Sequence, residues 1–297
     1  MQTGVFLGSQ GTLGELGDQM EAAAARSGVT SLWLPQIFGF DALTAIAALA
    51  DRAPGVEIGT SVIPTYPRHP MMLAAQALTA QAATDNRILL GIGLSHQVVI
   101  ENMFGYSFEK PARHMREYLS ALLPLLAGEP AGVKGETLTA MGQLTIPGAS
   151  RPPVLLAALA PTMLKLAGGV ADGTITWMTG PATVESHIVP SINAAASDAG
   201  RADPRVVVAL PVMVTNDPDA ARARAAKVFA VYGGLPSYRA MLDKEGAAGP
   251  ADVVIVGDES TVAKEVARMA DAGATDFVAA PFGDDEQNAR TLDVVTG

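Results

Sequence analysis

No cysteine occurs among the 297 residues, which excludes disulfides and thiolate chemistry and fits a reducing compartment. Charge is sparse: 17% of residues are charged, and 20 Lys and Arg face 30 Asp and Glu, for a net charge of −10. Without a Lys/Arg cluster, neither a nucleic acid nor an anionic membrane is an expected partner. Long hydrophobic runs are also missing. Each is cut by Gly, Pro or a charge well short of the roughly 20 apolar residues a membrane-spanning helix needs. The opening MQTGVFLGSQ enters an apolar strand at once, with no basic stretch before a long apolar one, so no export signal is expected. These absences leave a cytoplasmic protein with a small-molecule ligand as the expectation. What is present is 49% hydrophobic, enough for a large core. One α/β barrel is commonly this long, so a single domain over 1–297 is expected.

Short apolar segments alternate with Ala-rich amphipathic ones, the pattern of parallel βα units. Strands are predicted over 5–7, 31–35, 56–62, 87–93, 154–159, 174–178, 206–214 and 276–281. Helix signals stand between them. Gly28 closes a helix over 13–27, and Asn216-Asp-Pro218 offers a cap for another. Pro70 and Pro161 each take a first helical position, where a missing N–H costs nothing. Eight strands, each backed by a helix, predict a closed (β/α)8 TIM barrel rather than an open sheet. Insertions are expected after the fourth and seventh strands. The first holds a helix over 113–127 and a hairpin over 132–144; the second covers 232–251.

In such a barrel, chemistry belongs to the loops at the C-terminal strand ends. One end is abrupt: residues 58–70, IGTSVIPTYPRHP, leave the third strand through three prolines and enter a helix. The prolines either terminate the strand and no more, or fix a particular shape at its exit. After the fifth strand, small residues let backbone approach a ligand. Pro161 then starts a helix whose free N–H groups at Thr162 and Met163 can hold an anion. The same stretch also reads as an ordinary strand-to-helix turn. Gly91-Ile-Gly93 is not a dinucleotide fingerprint, since no third glycine opens a helix at the required spacing. It reads as tight barrel packing or as clearance for a flat ring. Trp33 and Trp177 read as barrel residues, with Trp177 within reach of a ligand.

The four histidines, His69, His96, His114 and His187, have no helical metal-pair spacing, and no carboxylate completes a zinc motif. No metal is expected. His96 directly follows the fourth strand on the rim, which makes it the candidate proton donor. His69, at a helix start, reads as structural. His114 and His187 read as solvated helix residues, and 113–117 as a charged helix face. Ser95 and His96 are adjacent, which rules out a hydroxyl lying in line with its base as a triad requires.

Five ordered segments carry a wider likeness. They are Ser31-Leu-Trp-Leu-Pro35, residues 58–70, Asn86-Arg-Ile-Leu-Leu-Gly-Ile-Gly93, residues 157–177 (AALAPTMLKLAGGVADGTITW) and Val254-Ile-Val-Gly-Asp258. Together they resemble the bacterial luciferase-like superfamily, in particular its branch of coenzyme F420-dependent oxidoreductases. The resemblance implies a bulge with a non-proline cis peptide at Ser61-Val62, with Val62 supporting a flavin or deazaflavin ring. It further implies that backbone at Leu94 and Ser95, at Leu159 and Ala160, and at Thr162 and Met163 lines the cofactor tail and phosphate. Trp177, Met178 and Thr179 would complete that wall. His96 falls where relatives carry an acidic proton donor, so the resemblance implies a donor or substrate anchor there. A homodimer is also implied.

Two positions depart from that pattern. Gln36 and Ile37 stand where sugar-phosphate and alcohol dehydrogenases of the branch carry an acid followed by His, and Gly180 stands where the sugar-phosphate enzymes carry Lys. The expected substrate is therefore an apolar or aromatic organic molecule, in either redox direction. Coenzyme F420 is the expected cofactor, with FMN the alternative. An FMN-dependent monooxygenase and a non-catalytic flavin-binding barrel are the competing readings. An aldolase-type phosphate barrel lacks a convincing catalytic Lys or acid pair.

Overall fold

The computed structural model of the chain describes residues 1–8, 11–36 and 38–297. The strands in chain order are β1 (Gln2–Phe6), β2 (Val29–Leu34), β3 (Glu57–Thr60), β4 (Ile63–Pro64), β5 (Ile88–Gly93), β6 (Ala131–Lys134), β7 (Thr139–Gly142), β8 (Val154–Leu156), β9 (Gly173–Trp177), β10 (Arg205–Val214), β11 (Ile255–Gly257) and β12 (Asp276–Pro281). β1, β2, β3, β5, β8, β9, β10 and β12 pair in parallel in that order. β12 then pairs back with β1, so the sheet closes into the expected barrel. Parallel neighbours need crossovers, and helices supply them. Outward strand residues such as Leu32, Ile58, Leu90 and Val208 join the helices in one continuous core.

Side chains alternate along a strand, so the residues between these point into the barrel. Trp33, Leu89, Leu155, Ile175, Val207 and Val278 fill it as a separate cluster, a packed plug and not a pore. The N-terminal end of the plug is polar. Arg205 Nε donates to both Asp276 carboxylate oxygens at 3.0 and 2.9 Å, and its Nη groups reach Glu57 at 3.1 and 2.7 Å.

Three strands differ from the sequence pattern. The third stops at Thr60 rather than 62; the chain kinks and resumes as β4. The fifth, β8, is three residues long because Ala157 onward already turns toward the helix Pro161–Val170. β11 was not expected as a strand. β10 outruns β9, whose pairing ends at Ala209, and β11 pairs with Val212 to Val214.

The first insertion holds helices Gln97–Asn102 and Pro111–Leu126 and the β6–β7 hairpin; the second holds Ala230–Gly234 and Pro236–Glu245. The expected solvated face over 113–117 holds for Arg113 and Arg116, which are exposed, and is corrected at His114. His114 is buried, bonded through Nε2 to Thr65 Oγ1 at 3.1 Å and stacked on Tyr66 with ring centroids 4.0 Å apart. Glu117 accepts backbone N–H bonds from Glu136 and Thr137 in the hairpin turn. His187 is half-buried, not solvated, because its ring reaches the Leu159 carbonyl. No described helix is long and apolar enough to cross a membrane.

Candidate functional site

The exit of the third strand builds the first wall of the C-terminal mouth. Gly59 pairs with Leu89, and Ile63 with Ile92, so four residues on one strand span three on its neighbour. That is a bulge. Within it the Ser61–Val62 peptide is cis, as the resemblance implied. A bulge leaves ladder groups without partners, and Thr60 supplies them. Its hydroxyl donates to the Gly91 carbonyl at 2.8 Å and accepts the Gly91 N–H at 2.9 Å. The glycines opposite are required by the same feature. A Cβ on Gly91 would stand 1.9 Å from the Thr60 carbonyl oxygen, and one on Gly93 would stand 2.9 Å from Val62 Cγ2. They clear space for the bulge, which is the packing reading of that motif.

Val62 lands half-buried on top of the plug, together with Phe6, Ala157 and Trp177. These four form the floor of the mouth. Phe6 and Trp177 stack with centroids 5.5 Å apart. The Trp177 indole N–H is buried and lacks a hydrogen-bond partner.

Two strand tips, those of β5 and β9 on either side of β8, hold side-chain-bearing residues in the left-handed region: Ser95 with φ 62° and Met178 with φ 53°. Non-glycine residues rarely adopt that conformation, and where they do the surroundings impose it. Leu94, Ser95 and His96 are half-buried at the β5 tip. Met178 and Thr179 are fully buried, Met178 among Met213, Phe229 and Leu242. Of the predicted wall 177–179, Trp177 presents a ring to the mouth and the next two can offer it only backbone.

At the β8 tip, Leu159 and Ala160 lead into the helix Pro161–Val170, which has no side-chain cap. The Met163 N–H is taken by the Ala160 carbonyl at 3.0 Å. The Thr162 N–H has no protein partner among the described residues. His187 Nε2 bonds the Leu159 carbonyl at 2.8 Å and so fixes this connection from the next helix.

His96 caps the start of Gln97–Asn102, and burial pulls its pKa below the ordinary histidine value, which favours a neutral ring. It lies against Tyr238 of the second insertion, ring centroids 5.6 Å apart. The departures at the rim also have structural counterparts. Gln36 Oε1 accepts the Ala42 N–H at 2.8 Å and thereby serves a helix start; Ile37 lies outside the described residues. A Cβ on Gly180 would stand 2.4 Å from the Glu245 carboxylate, which accepts the N–H groups of Ala182 and Thr183 at 3.1 and 2.7 Å. Among the described residues, no three His, Asp or Glu side chains converge as a metal set.

A bulged third strand opening onto a barrel mouth agrees with what the whole chain matches: residues 1–295 fit the model of the luciferase-like monooxygenases. The chain belongs to that family. Among curated relatives, a 5,10-methylenetetrahydromethanopterin reductase of Methanolobus tindarius is 29% identical over 209 residues, covering 70% of this chain but only 64% of that protein. A putative coenzyme F420-dependent oxidoreductase of Mycobacterium tuberculosis is 28% identical, covering 94% of this chain and 95% of that one. Among solved structures, the coenzyme F420-dependent tetrahydromethanopterin reductase of Methanopyrus kandleri superposes with a TM-score of 0.83 at 21% identity, over 99% of this chain and 97% of that one. An FMN-bound type II Baeyer–Villiger monooxygenase of Pseudomonas putida superposes with a TM-score of 0.77 at 16% identity, over 100% and 96%. At such identities the superpositions establish the fold.

Within this family member, sequence reasoning missed Tyr232, Tyr238, His187 and Glu245. The available signal for the tyrosines was that they fall in an insertion following the C-terminal end of a barrel strand. For His187 and Glu245 no local pattern exists, since each acts on backbone of a distant loop.

Proposed function

We propose that this luciferase-like protein is a coenzyme F420-dependent oxidoreductase that moves a hydride between the deazaflavin and a small, apolar organic substrate. The observation that carries the reading is the bulge at Ser61–Val62, which sets a half-buried Val62 on the mouth floor beside Ala157 and Trp177. The residues present fit the group. Val62 would back the ring, while backbone at Leu94, Ser95, Leu159 and Ala160 would follow the tail. The uncapped start of Pro161–Val170, with the Thr162 N–H free, would meet the phosphate. Bound there, a deazaflavin supplies two-electron hydride chemistry with little tendency to activate oxygen. The chain's own task is to hold the substrate on the side away from Val62, exclude water and manage a proton where charge builds. His96, half-buried and favouring its neutral form, is the residue assigned to that proton or to anchoring the substrate.

The apolar floor supports an apolar substrate, and the Glu245 carboxylate beside Gly180 would repel a phosphoryl group. The likeness to F420-dependent relatives supports the cofactor. The FMN-bound neighbour motivates the second reading, a reduced-FMN monooxygenase. One titration separates them. Fluorescence binding curves for F420 and FMN are expected to show tight F420 and weak FMN; tight FMN with no F420 binding would reverse the assignment. Replacing His96 by Ala should lower turnover about 10²–10⁴-fold if it is the proton donor, and an unchanged rate would remove it from that role.

A further inference from the structure

Rings from the barrel-strand tips and the second insertion meet at the mouth. Trp177 on the floor meets Tyr232 edge-on at 6.0 Å, Tyr232 meets Tyr238 edge-on at 5.1 Å, and Tyr238 lies 5.6 Å from His96. Phe229 extends the series, 6.1 Å from Trp177 and 5.6 Å from Phe282. The result is one aromatic wall running from the barrel axis to the β5 tip, in a protein whose aromatic content is only 5%. Among the described residues neither the Tyr232 nor the Tyr238 hydroxyl has a hydrogen-bond partner, and neither belongs to the polar atoms sealed from solvent. Burial pushes both phenols above their ordinary pKa, so they remain donors at any physiological pH. The Trp177 indole N–H is close enough to oppose that rise at Tyr232, but its geometry closes no hydrogen bond. The polar groups on this wall are thus neutral donors beside His96, with the Glu245 carboxylate at the end of the Tyr238 helix. A charged acid or phosphate finds no cation among them.

We propose that Tyr238 and Tyr232 form the substrate-recognition wall for a planar, conjugated carbonyl compound whose oxygen accepts the Tyr238 hydroxyl beside His96. Flat conjugated surface matches the ring faces and edges, and the carbonyl oxygen would take the place of water on a half-buried phenol that no protein group engages. This deepens the oxidoreductase reading and rests on it for what happens to the bound molecule.

The test is calorimetric titration of the full chain, with and without saturating oxidised F420, using benzalacetone and butylbenzene as probes. Benzalacetone should bind the wild type more tightly than butylbenzene. Tyr238→Phe keeps the ring and should weaken benzalacetone about five- to twentyfold, with butylbenzene unchanged. Tyr232→Ala should weaken both probes. Cofactor affinity of Tyr238→Phe should stay within about twofold of wild type, because the substitution keeps the ring and removes only the hydroxyl. Equal benzalacetone affinity for wild type and Tyr238→Phe overturns the proposal, as does no binding of benzalacetone to the wild type in either condition. If neither F420 nor FMN binds but the probe pattern holds, the wall stands and the redox reading falls. If F420 binds and the pattern is absent, the wall falls alone. Should Tyr232→Ala fail to fold, the Tyr238→Phe comparison decides.

Discussion

His114 is 6% exposed, sealed between Tyr66 and Tyr118, and burial lowers its pKa to about 4 from the ordinary 6.5, against a smaller upward pull from Glu117. The sign of the consequence follows from linkage. As pH falls, the unfolded chain takes up a proton near 6.5, while the folded ring refuses one until about 4. Stability is therefore intact above the unfolded value and lost progressively between the two. Urea denaturation at pH 5 should show about 2 kcal/mol less stability from this residue than at pH 7. His114→Gln, which keeps a hydrogen-bonding group for Thr65 and removes the titration, should flatten that difference. An unchanged pH slope would show that His114 does not control it. The other histidines divide by their partners in the same way. His69 sits at a helix start and its Nδ1 accepts the Met71 N–H at 3.3 Å, as its sequence position implied. His187 and His114 face partners from distant segments, which no local pattern announces.

At the scale of elements, the third strand and its neighbour explain each other. The bulge presses Thr60 and Val62 into β5, and only glycine at 91 and 93 leaves the room. Gly91→Ala should therefore displace the Thr60–Val62 backbone and cost about 1–3 kcal/mol by overpacking. Denaturation curves and a crystal structure of the variant would check both. Thr60→Val preserves the volume and removes the hydroxyl that serves the Gly91 N–H and carbonyl. With those groups buried and unpaired, the expected loss is about 1–3 kcal/mol. A neutral Thr60→Val would mean that the ladder closes without the side chain. The second insertion is an element of another kind. Its longer helix has Pro236 at its start and a left-handed Gly246 at its end, and it is held by buried Met241 and Leu242 together with Tyr232 and Tyr238 packing on Trp177 and His96.

Over the whole molecule, closing the barrel brings Arg205, Glu57, Asp276 and Gln2 together from four strands at the end opposite the mouth. Asp276 is 1% exposed and pairs with Arg205. Arg205→Met should cost about 3–5 kcal/mol by leaving that carboxylate uncompensated, and adding Asp276→Leu should recover much of the loss. If the double variant is no more stable than the single one, the charge pairing is not what holds this end of the barrel. Mouth and base thus have separate jobs. Charge joins the strands at one end, and the apolar surface at the other is the proposed ligand site.

Sequence alone determined the number and order of the barrel strands and both insertions, while the position of the bulge came from the family resemblance. Alternation, helix caps and glycine or proline punctuation act over a few residues and can be read there. It also placed Val62, Ser95, His96 and Trp177 on one rim, because a parallel barrel gathers all its C-terminal tips. Only the tertiary structure decided that β11 finishes the edge of β10, that His114 is buried, and that Tyr238 reaches His96. These depend on contacts between segments far apart along the chain, and their energy comes from burial that no single segment can provide.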